Sequence, residues 1–197
     1  MLTGAIVLAA GKASRFGSPK QLLELGGETL LDRACRIAMT SGCQPVLRVL
    51  GAHADLIQAR ACPEGVGTLF HPEWEDGMGS SLAAGLAKLL EGFPQLELVF
   101  VLLADQPLVS VELLATMKKR VIDEGASAVI CDYGEATGPP VLFRKEQFGD
   151  VLVLSGDRGA KSVANACGAE EVPFEGGAWD IDYPENWERL KGELGTE

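Results

Sequence analysis

Short apolar runs alternate with segments of helical period along most of this 197-residue chain. The runs have the length of buried strands and are bounded by turn residues. Between them, apolar residues recur every three or four positions, as they do on one face of a helix. This alternation is typical of a mostly parallel sheet with helices on both faces. We expect strands at Ala5–Ala9, Val46–Leu50, Thr68–Phe70, Leu98–Leu103, Ala128–Cys131, Val141–Phe143 and Glu171–Pro173.

The predicted fold class is therefore α/β, a Rossmann-like three-layer α/β/α arrangement with a mostly parallel central sheet. One helix is predicted from Leu30 to Ala38 with Gly42 as its stop, and two further helices contain the apolar series that begin at Leu82 and Val111. The chain has no Pro/Ser-rich linker, charge block or internal repeat. We expect residues 1–197 to form a single domain around one substantial core.

Composition disfavours several classes of protein. A formal net charge of −11 disfavours binding of nucleic acid or of an acidic membrane surface over a broad face. The five cysteines never form a C-x-x-C pair, so we expect reduced and mostly buried thiols rather than disulfides or a zinc site. No apolar run approaches the ~20 residues that span a bilayer, and no cleavable leader precedes the first strand. These features predict a cytoplasmic protein without a membrane partner.

A glycine-punctuated basic loop follows the first predicted strand. It runs from Leu8 to Lys20 and includes Arg15. A loop at the carboxyl end of a buried strand can direct backbone N–H groups at one anion, and the two basic side chains add positive charge. The Walker pattern fails because Ile6 and Ala13 occupy two of its required positions, and the dinucleotide fingerprint also fails at Ala13. The interpretation that remains is a cradle for a nucleoside triphosphate.

One acidic residue, Asp105, could hold a divalent cation near that loop. Asp105 closely follows the run Leu98–Leu103 and should lie at the carboxyl edge of a central strand, where the ligands of open α/β sheets gather. Mg²⁺ usually takes one or two protein carboxylates and completes its octahedron with phosphate oxygens and water. Asp105 could instead cap the turn that follows it. Asp182 lies in the segment Asp180–Glu185, which predicts a turn and a helix beginning at Pro184, and capping is its simpler use.

Other polar residues could also serve either as helix caps or as ligand-binding groups. Ser80 and Ser81 open a predicted helix, where a hydroxyl is a favoured N-cap, and capping is compatible with contact to a nucleotide. Asp157 could cap a later helix in the same way. Arg158 and Lys161, close to it in sequence, are cations that could bind a phosphate group.

The segment from Leu8 to Lys20 fits the pattern L-A-A-G-x-x-x-R-[FM]-G-x-P-K and resembles the opening signature of the MobA-like nucleotidyltransferases. The resemblance is closest to the molybdenum cofactor cytidylyltransferases of MocA type, and it implies a fold like that of the nucleotide-diphospho-sugar transferases. One match departs from the family pattern, because Pro139 replaces a polar residue. Further matching segments are Gly77–Leu82, Leu103–Pro107, Gly138–Phe143, Gly156–Lys161 and Asp180–Glu185.

This resemblance implies roles for particular residues. It implies that Arg15 and Lys20 grip the triphosphate, that Asp105 holds Mg²⁺, and that Asp182 is the second acidic ligand, a place that Asp180 could also take. It implies acceptor binding by Arg158 and Lys161 and catalysis by Lys20, Arg15 and Asp105. The implied nucleotide-binding residues are Leu8, Ala9, Ala10, Gly11, Arg15, Lys20, Ser80, Ser81 and Asp105.

The implied activity is transfer of CMP from CTP to the phosphate of molybdenum-bound molybdopterin, with Mg²⁺ as cofactor and release of pyrophosphate. Ala10 favours CTP, because family guanylyltransferases usually carry glycine there. One alternative is a cytidylyltransferase or uridylyltransferase that acts on a sugar or polyol phosphate, and another is a molybdopterin guanylyltransferase that uses GTP. A non-catalytic nucleotide-binding regulator is disfavoured because Lys20 and Asp105 are both present.

Overall fold

The computed structural model describes residues 1–14, 16–179, 181 and 183–194. Nine strands are present in these ranges. Seven of them form the central sheet, and two form a short separate hairpin. The strands are β1 (Thr3–Ala9), β2 (Glu24–Leu25), β3 (Glu28–Thr29), β4 (Val46–Leu50), β5 (Val66–Phe70), β6 (Leu98–Leu103), β7 (Ala128–Asp132), β8 (Thr137–Arg144) and β9 (Glu170–Pro173).

Helices connect most of these strands. Helix α1 joins the hairpin to β4, α3 joins β5 to β6, and α4 joins β6 to β7. The α-helices are α1 (Leu30–Thr40), α2 (Ala54–Gln58), α3 (Met78–Gly92), α4 (Val111–Ile122), α5 (Phe148–Leu152), α6 (Ala160–Ala166) and α7 (Pro184–Leu194).

The central sheet has the strand order β5-β4-β1-β6-β8-β7-β9. Strand β8 runs antiparallel to both of its neighbours, and every other adjacent pair in this sheet is parallel. All seven predicted strands are present, and five of them (β1, β5, β7, β8 and β9) extend beyond their predicted ends. The prediction of a mostly parallel sheet is confirmed.

Apolar side chains cover both faces of the sheet, which explains why the central strands are continuous apolar runs rather than alternating ones. Phe100 of β6 packs with residues of α1 and α4 on one face. Its neighbours Val99 and Val101 pack with residues of α3, α5 and α6 on the other. All three side chains have no exposed surface. The three-layer arrangement thus buries five of the six residues of β6, all except Leu103.

Local signals set the ends of α1. The hydroxyl of Thr29 accepts a hydrogen bond from the N–H of Asp32 at 3.0 Å, which caps the first turn. After the last turn, Gly42 adopts a φ of +81°, and its N–H donates to the carbonyl of Met39 at 2.9 Å. The predicted stop at this glycine is confirmed.

A third apolar cluster lies beside the first loop. Leu25 and Leu30 pack there with Ile181, Trp187 and Leu190, which belong to α7 and the segment before it. Trp187 is 7% exposed, so it serves packing. Helix α7 begins at Pro184, as predicted. Within the described residues, no helix combines the length and the apolar character that crossing a membrane requires.

Thiol reactivity is a direct consequence of this packing. Burial raises the pKa of Cys35 to about 12 and that of Cys131 to about 12. Burial also raises the pKa of Cys43, whereas Cys62 is exposed and Cys167 is half-buried. Because the thiolate is the reactive form, Ellman's reagent at pH 8 should modify Cys62 first and Cys167 more slowly. The other three thiols should react only after unfolding, and rapid modification of all five in the folded protein would contradict this packing.

Candidate active site

A cleft of about 500 Å³ opens at the carboxyl edge of the sheet, above β1 and β6. These strands are neighbours, with Leu8 paired to Leu103. From β1 the chain first builds β4 and β5 on one side, and then returns to place β6 on the other. This reversal is the topological switch point at which open α/β sheets bind ligands. The predicted loops after β1 and β6 therefore meet in one cleft.

Lys20 and Asp105 face each other in this cleft. The ammonium nitrogen Nζ of Lys20 lies 2.5 Å from Oδ2 of Asp105, and the two side chains are 16% and 18% exposed. Lys20 begins the short 3₁₀ turn Lys20–Leu22, and Asp105 follows the end of β6 by two residues. The carboxylate of Asp105 thus contacts Lys20. The sequence alone also allowed the interpretation that Asp105 caps the turn that follows it. Both charges are largely removed from water.

The first loop folds back on itself before it reaches Lys20. Ala13 has a φ of +50°, and its carbonyl accepts hydrogen bonds from the N–H groups of Phe16 and Gly17, both at 3.1 Å. The ring nitrogen Nε2 of His53 donates to the carbonyl of Lys12 at 2.9 Å. Residues 8–14 all line the cleft. Arg15, the other cation predicted to bind triphosphate, lies outside the described residues.

The amino-terminal end of α3 forms the opposite wall. The N-cap of this helix is Gly77, with no side-chain cap, so the expectation that Ser80 or Ser81 caps it is wrong. Ser80 instead donates to the carbonyl of Gly77 at 2.9 Å and lies 3.1 Å from Nε2 of His71. Ser81 is 3% exposed and lines the cleft.

This helix start packs directly on the backbone of the segment 155–158. The N–H of Gly79 donates to the carbonyl of Gly156 at 2.9 Å. A Cβ at Gly77 would lie 2.3 Å from that carbonyl oxygen, and one at Gly79 would lie 2.4 Å from the carbonyl oxygen of Arg158. Glycine is required at both positions because two backbones meet there.

The segment that supplies the predicted acceptor cations reaches the cleft through a different residue. Asp157 lines the cleft, and it does not cap α6, whose N-cap is Gly159. Arg158 and Lys161 are exposed. The structure therefore brings this segment to the cleft, but the closest charge it presents there is acidic.

Several lining residues belong to no recognised motif position. Gln21, Trp74 and Glu75 all contribute to the cleft. Gln21 follows Lys20 directly, and the other two precede α3 in the 3₁₀ turn Trp74–Asp76. Only their position beside the motif segments could have marked them in the sequence.

The available metal ligands are oxygen atoms. Asp105, Asp157 and Glu75 bring carboxylates to the cleft lining. Within the described ranges, no group of three or more His, Cys, Asp or Glu side chains is arranged to hold a metal ion. The predicted ligands Asp180 and Asp182 lie outside those ranges. A site in which Asp105 supplies one carboxylate and the cleft leaves space for phosphate and water suits Mg²⁺ or Mn²⁺ better than zinc.

Residues 5–172 match the family described as the MobA-like NTP transferase domain. Nicotine blue oxidoreductase of Paenarthrobacter nicotinovorans is 42% identical over 81 residues, which make up 41% of this chain and 40% of that protein. A molybdenum cofactor guanylyltransferase of Sinorhizobium fredii is 34% identical over 88 residues, 43% of this chain and 36% of that protein. The chain thus matches less than half the length of either curated relative.

Solved structures extend the similarity to nearly the whole chain. Rv0371c of Mycobacterium tuberculosis has a TM-score of 0.80 and 27% identity, over 96% of this chain and 97% of that one. The same protein was also solved in complex with manganese, with a TM-score of 0.76 and 26% identity over 96% and 98% of the two chains. The predicted three-layer fold is confirmed by these neighbours as well as by the sheet topology.

Proposed function

This chain belongs to the MobA-like NTP transferase family, and from that premise we propose that it transfers CMP from CTP to the phosphate of molybdenum-bound molybdopterin and releases pyrophosphate. The family match supports nucleotidyl transfer of MobA-like type. We further propose that the donor is CTP, that the acceptor is molybdopterin and that residues 1–197 form one catalytic domain.

The contact between Lys20 and Asp105 is the observation that carries the proposal. Their 2.5 Å separation brings an ammonium group and a carboxylate together at the switch point of the sheet. A triphosphate bound there would meet the ammonium directly, and the neighbouring carboxylate would hold a divalent cation that neutralises phosphate charge. A net charge of −11 makes such local positive charge necessary for a polyanionic substrate.

A divalent metal fits the residues present. Asp105 would be its carboxylate ligand, and Asp182 is proposed as the second on the basis of sequence alone. Bound there, the metal would neutralise charge on the phosphates of the nucleotide. We propose Mg²⁺, and the manganese in Rv0371c supports a divalent ion of this type.

The reaction needs positioning more than acid–base chemistry. An oxygen of the acceptor phosphate attacks the α-phosphorus, the bond from that phosphorus to the bridging oxygen of pyrophosphate breaks, and a diphosphate link forms. The acceptor is already an anion, so no general base is required. Lys20 would stabilise the charge that develops on the phosphates, and Arg15 is proposed to do the same. The buried setting of Lys20 strengthens this interaction relative to one in bulk water.

Base selection is proposed to depend on Ala10. This residue is 8% exposed, and it lines the cleft directly after β1. Its methyl group occupies volume that a glycine would leave to a larger base. The alternatives predicted from the sequence remain a cytidylyltransferase or uridylyltransferase for a sugar or polyol phosphate, and a guanylyltransferase that uses GTP.

The test incubates the protein with Mg²⁺, each of the four ribonucleoside triphosphates, and either molybdopterin or a sugar phosphate. We expect pyrophosphate release when CTP is combined with molybdopterin, and no release when a sugar phosphate replaces molybdopterin.

Ala10→Gly should raise the ratio of GTP turnover to CTP turnover by about tenfold, because one methyl group in a pocket discriminates between substrates on that scale. Wild-type preference for GTP would reject the proposed base, and absence of release with any pair would reject the proposed reaction.

A further inference from the structure

Each partner of the central ion pair is followed in sequence by a buried glutamine. Gln21 follows Lys20 and is 4% exposed, and Gln106 follows Asp105 and is 5% exposed. A long polar side chain is seldom buried to this extent unless its amide group has partners in the interior. The partners of these two amides show what each glutamine holds in place.

Gln21 holds the first loop. Its amide nitrogen Nε2 donates to the carbonyls of Ala9 and Gly11, both at 3.1 Å, and so uses both of its hydrogens. In a trans peptide, the N–H of the next residue points away from the carbonyl. Fixing the two carbonyls toward Gln21 therefore also fixes the N–H groups of Ala10 and Lys12 on the other side of their peptide planes. A phosphate is repelled by carbonyl oxygens and bound by N–H groups.

Gln106 holds the segment that bears Asp105. Its Nε2 donates to the hydroxyl of Tyr133 at 2.9 Å, and that hydroxyl donates to the carbonyl of Pro139. The tyrosine ring is itself closely confined, because a Cβ at Gly177 would lie 1.9 Å from a ring carbon. Phe174 packs against the ring edge-on, with centroids 6.1 Å apart. Gln106 thus ties the loop after β6 to a fixed point.

Both glutamines retain one unsatisfied acceptor. The buried Oε1 atoms of Gln21 and Gln106 have no hydrogen-bond partner among the residues that the structure describes. An unpaired buried acceptor lowers stability, so a methionine of similar shape would serve packing as well or better. The amide donor is what methionine cannot supply.

We propose that Gln21 and Gln106 are positioning residues. Gln21 presents the N–H groups of the first loop to the triphosphate, and Gln106 keeps Asp105 opposite Lys20. This inference rests on the proposed nucleotidyl transfer. It assigns the two glutamines separate effects, one on binding of the nucleotide and one on the rate of the chemical step.

The test compares Gln21→Met, Gln106→Met and the matched control Gln147→Met. Gln147 also has a buried Oε1 without a partner in the described part of the chain, but it lies in the 3₁₀ turn Lys145–Gln147 after β8. That turn is at the opposite edge of the sheet, because Lys145 donates its N–H to the carbonyl of Glu97 just before β6. The control therefore removes a similar amide far from the cleft.

Two readouts separate positioning from a general loss of structure. Gln21→Met should raise the KM for the triphosphate about tenfold with little change in kcat, and Gln106→Met should lower kcat about tenfold with little change in KM. In the ligand-free protein, trypsin should cleave after Lys12 roughly tenfold faster in the first variant, and hydrogen exchange at residues 103–106 should become roughly tenfold faster in the second. Gln147→Met should leave both readouts at wild-type values.

Several results would overturn the proposal that the two glutamines are positioning residues. Unchanged kinetics together with unchanged loop opening, by proteolysis for Gln21→Met or by exchange for Gln106→Met, would overturn the proposal for that glutamine, as would an equal effect of Gln147→Met. A cleft variant that unfolds at 25 °C would also count against it, because the glutamine would then support the whole fold. If the wild-type protein releases no pyrophosphate, the proposed function fails, and the proteolysis and exchange data still show whether the two amides hold their loops.

Discussion

Asp105→Asn is expected to reduce pyrophosphate release at least about a hundredfold, which corresponds to roughly 2.7 kcal/mol in the barrier. The substitution keeps the size of the side chain and an amide oxygen that can accept from Lys20. It removes the negative charge that pairs with Lys20 at 2.5 Å and that would bind the metal. The folded state should persist, because the shape of the site is retained. Steady-state pyrophosphate release and circular dichroism measure the two quantities.

Asp123→Asn is the matched control for this prediction. Asp123 is exposed and is the C-cap of α4, far along the chain from the loop that contains Asp105. Its substitution should leave the rate unchanged. If Asp105→Asn retained more than about a tenth of the wild-type rate, roughly a 1.4 kcal/mol change, Asp105 could not be the principal metal ligand.

Gly77→Ala is expected to be the most destabilising single-methyl change in the cleft. Gly77 has a φ of +102°, and an added Cβ would lie 2.3 Å from the backbone oxygen of Gly156. The unfavourable backbone conformation and the overlap together should lower the free energy of unfolding by about 2–4 kcal/mol. Relief of the overlap would also displace Asp157 from the cleft wall. Urea denaturation and turnover should therefore both show a loss.

Gly149→Ala provides the comparison. Gly149 lies within α5, and a Cβ there would have no heavy atom within 4 Å. Alanine should stabilise this helix by about 0.5–1 kcal/mol and leave turnover unchanged. Equal unfolding free energies for the two variants would show that the contact between Gly77 and the segment 155–158 is not formed in solution.

The central sheet was predictable because its signal is strong and local. Strand β6 is a run of six apolar residues followed by a turn, and each long helix has an apolar face of regular period. The β2–β3 hairpin was not predicted, since two-residue strands carry no periodic pattern. Helix α5 was also missed, because a five-residue helix is too short for its apolar face to repeat.

The meeting of Lys20 and Asp105 was predictable from topology. Each follows a buried strand, and parallel neighbours end at the same edge of a sheet. The start of α3 was not predictable in the same way. Serine is a favoured N-cap, so Ser80 or Ser81 was expected to begin the helix. The tertiary contact of Gly77 and Gly79 with the segment 155–158 instead sets the start at Met78, and no local pattern reports that contact.

Gln21 and Gln106 show the limit of sequence reasoning most clearly. Neither residue type nor spacing distinguishes them from exposed glutamines. Their role is visible only from their burial and their hydrogen-bond partners. The partner of Gln106 is Tyr133, which is distant in the sequence and becomes adjacent only after β7 and β8 have paired.

The placement of β6 between β1 and β8 bears on when the protein can acquire an affinity for its ligand. Until β6 has paired, β1 has a neighbour on one side only, and the loop from Leu8 to Lys20 has no Asp105 opposite it. A nascent or truncated chain that ends before β6 would therefore contain the complete amino-terminal motif, but it would lack the two-sided site that a triphosphate needs. Recognition of a triphosphate would therefore depend on the pairing of β1 with β6, two strands far apart in the sequence, and such long-range pairing is generally slower to form than local structure.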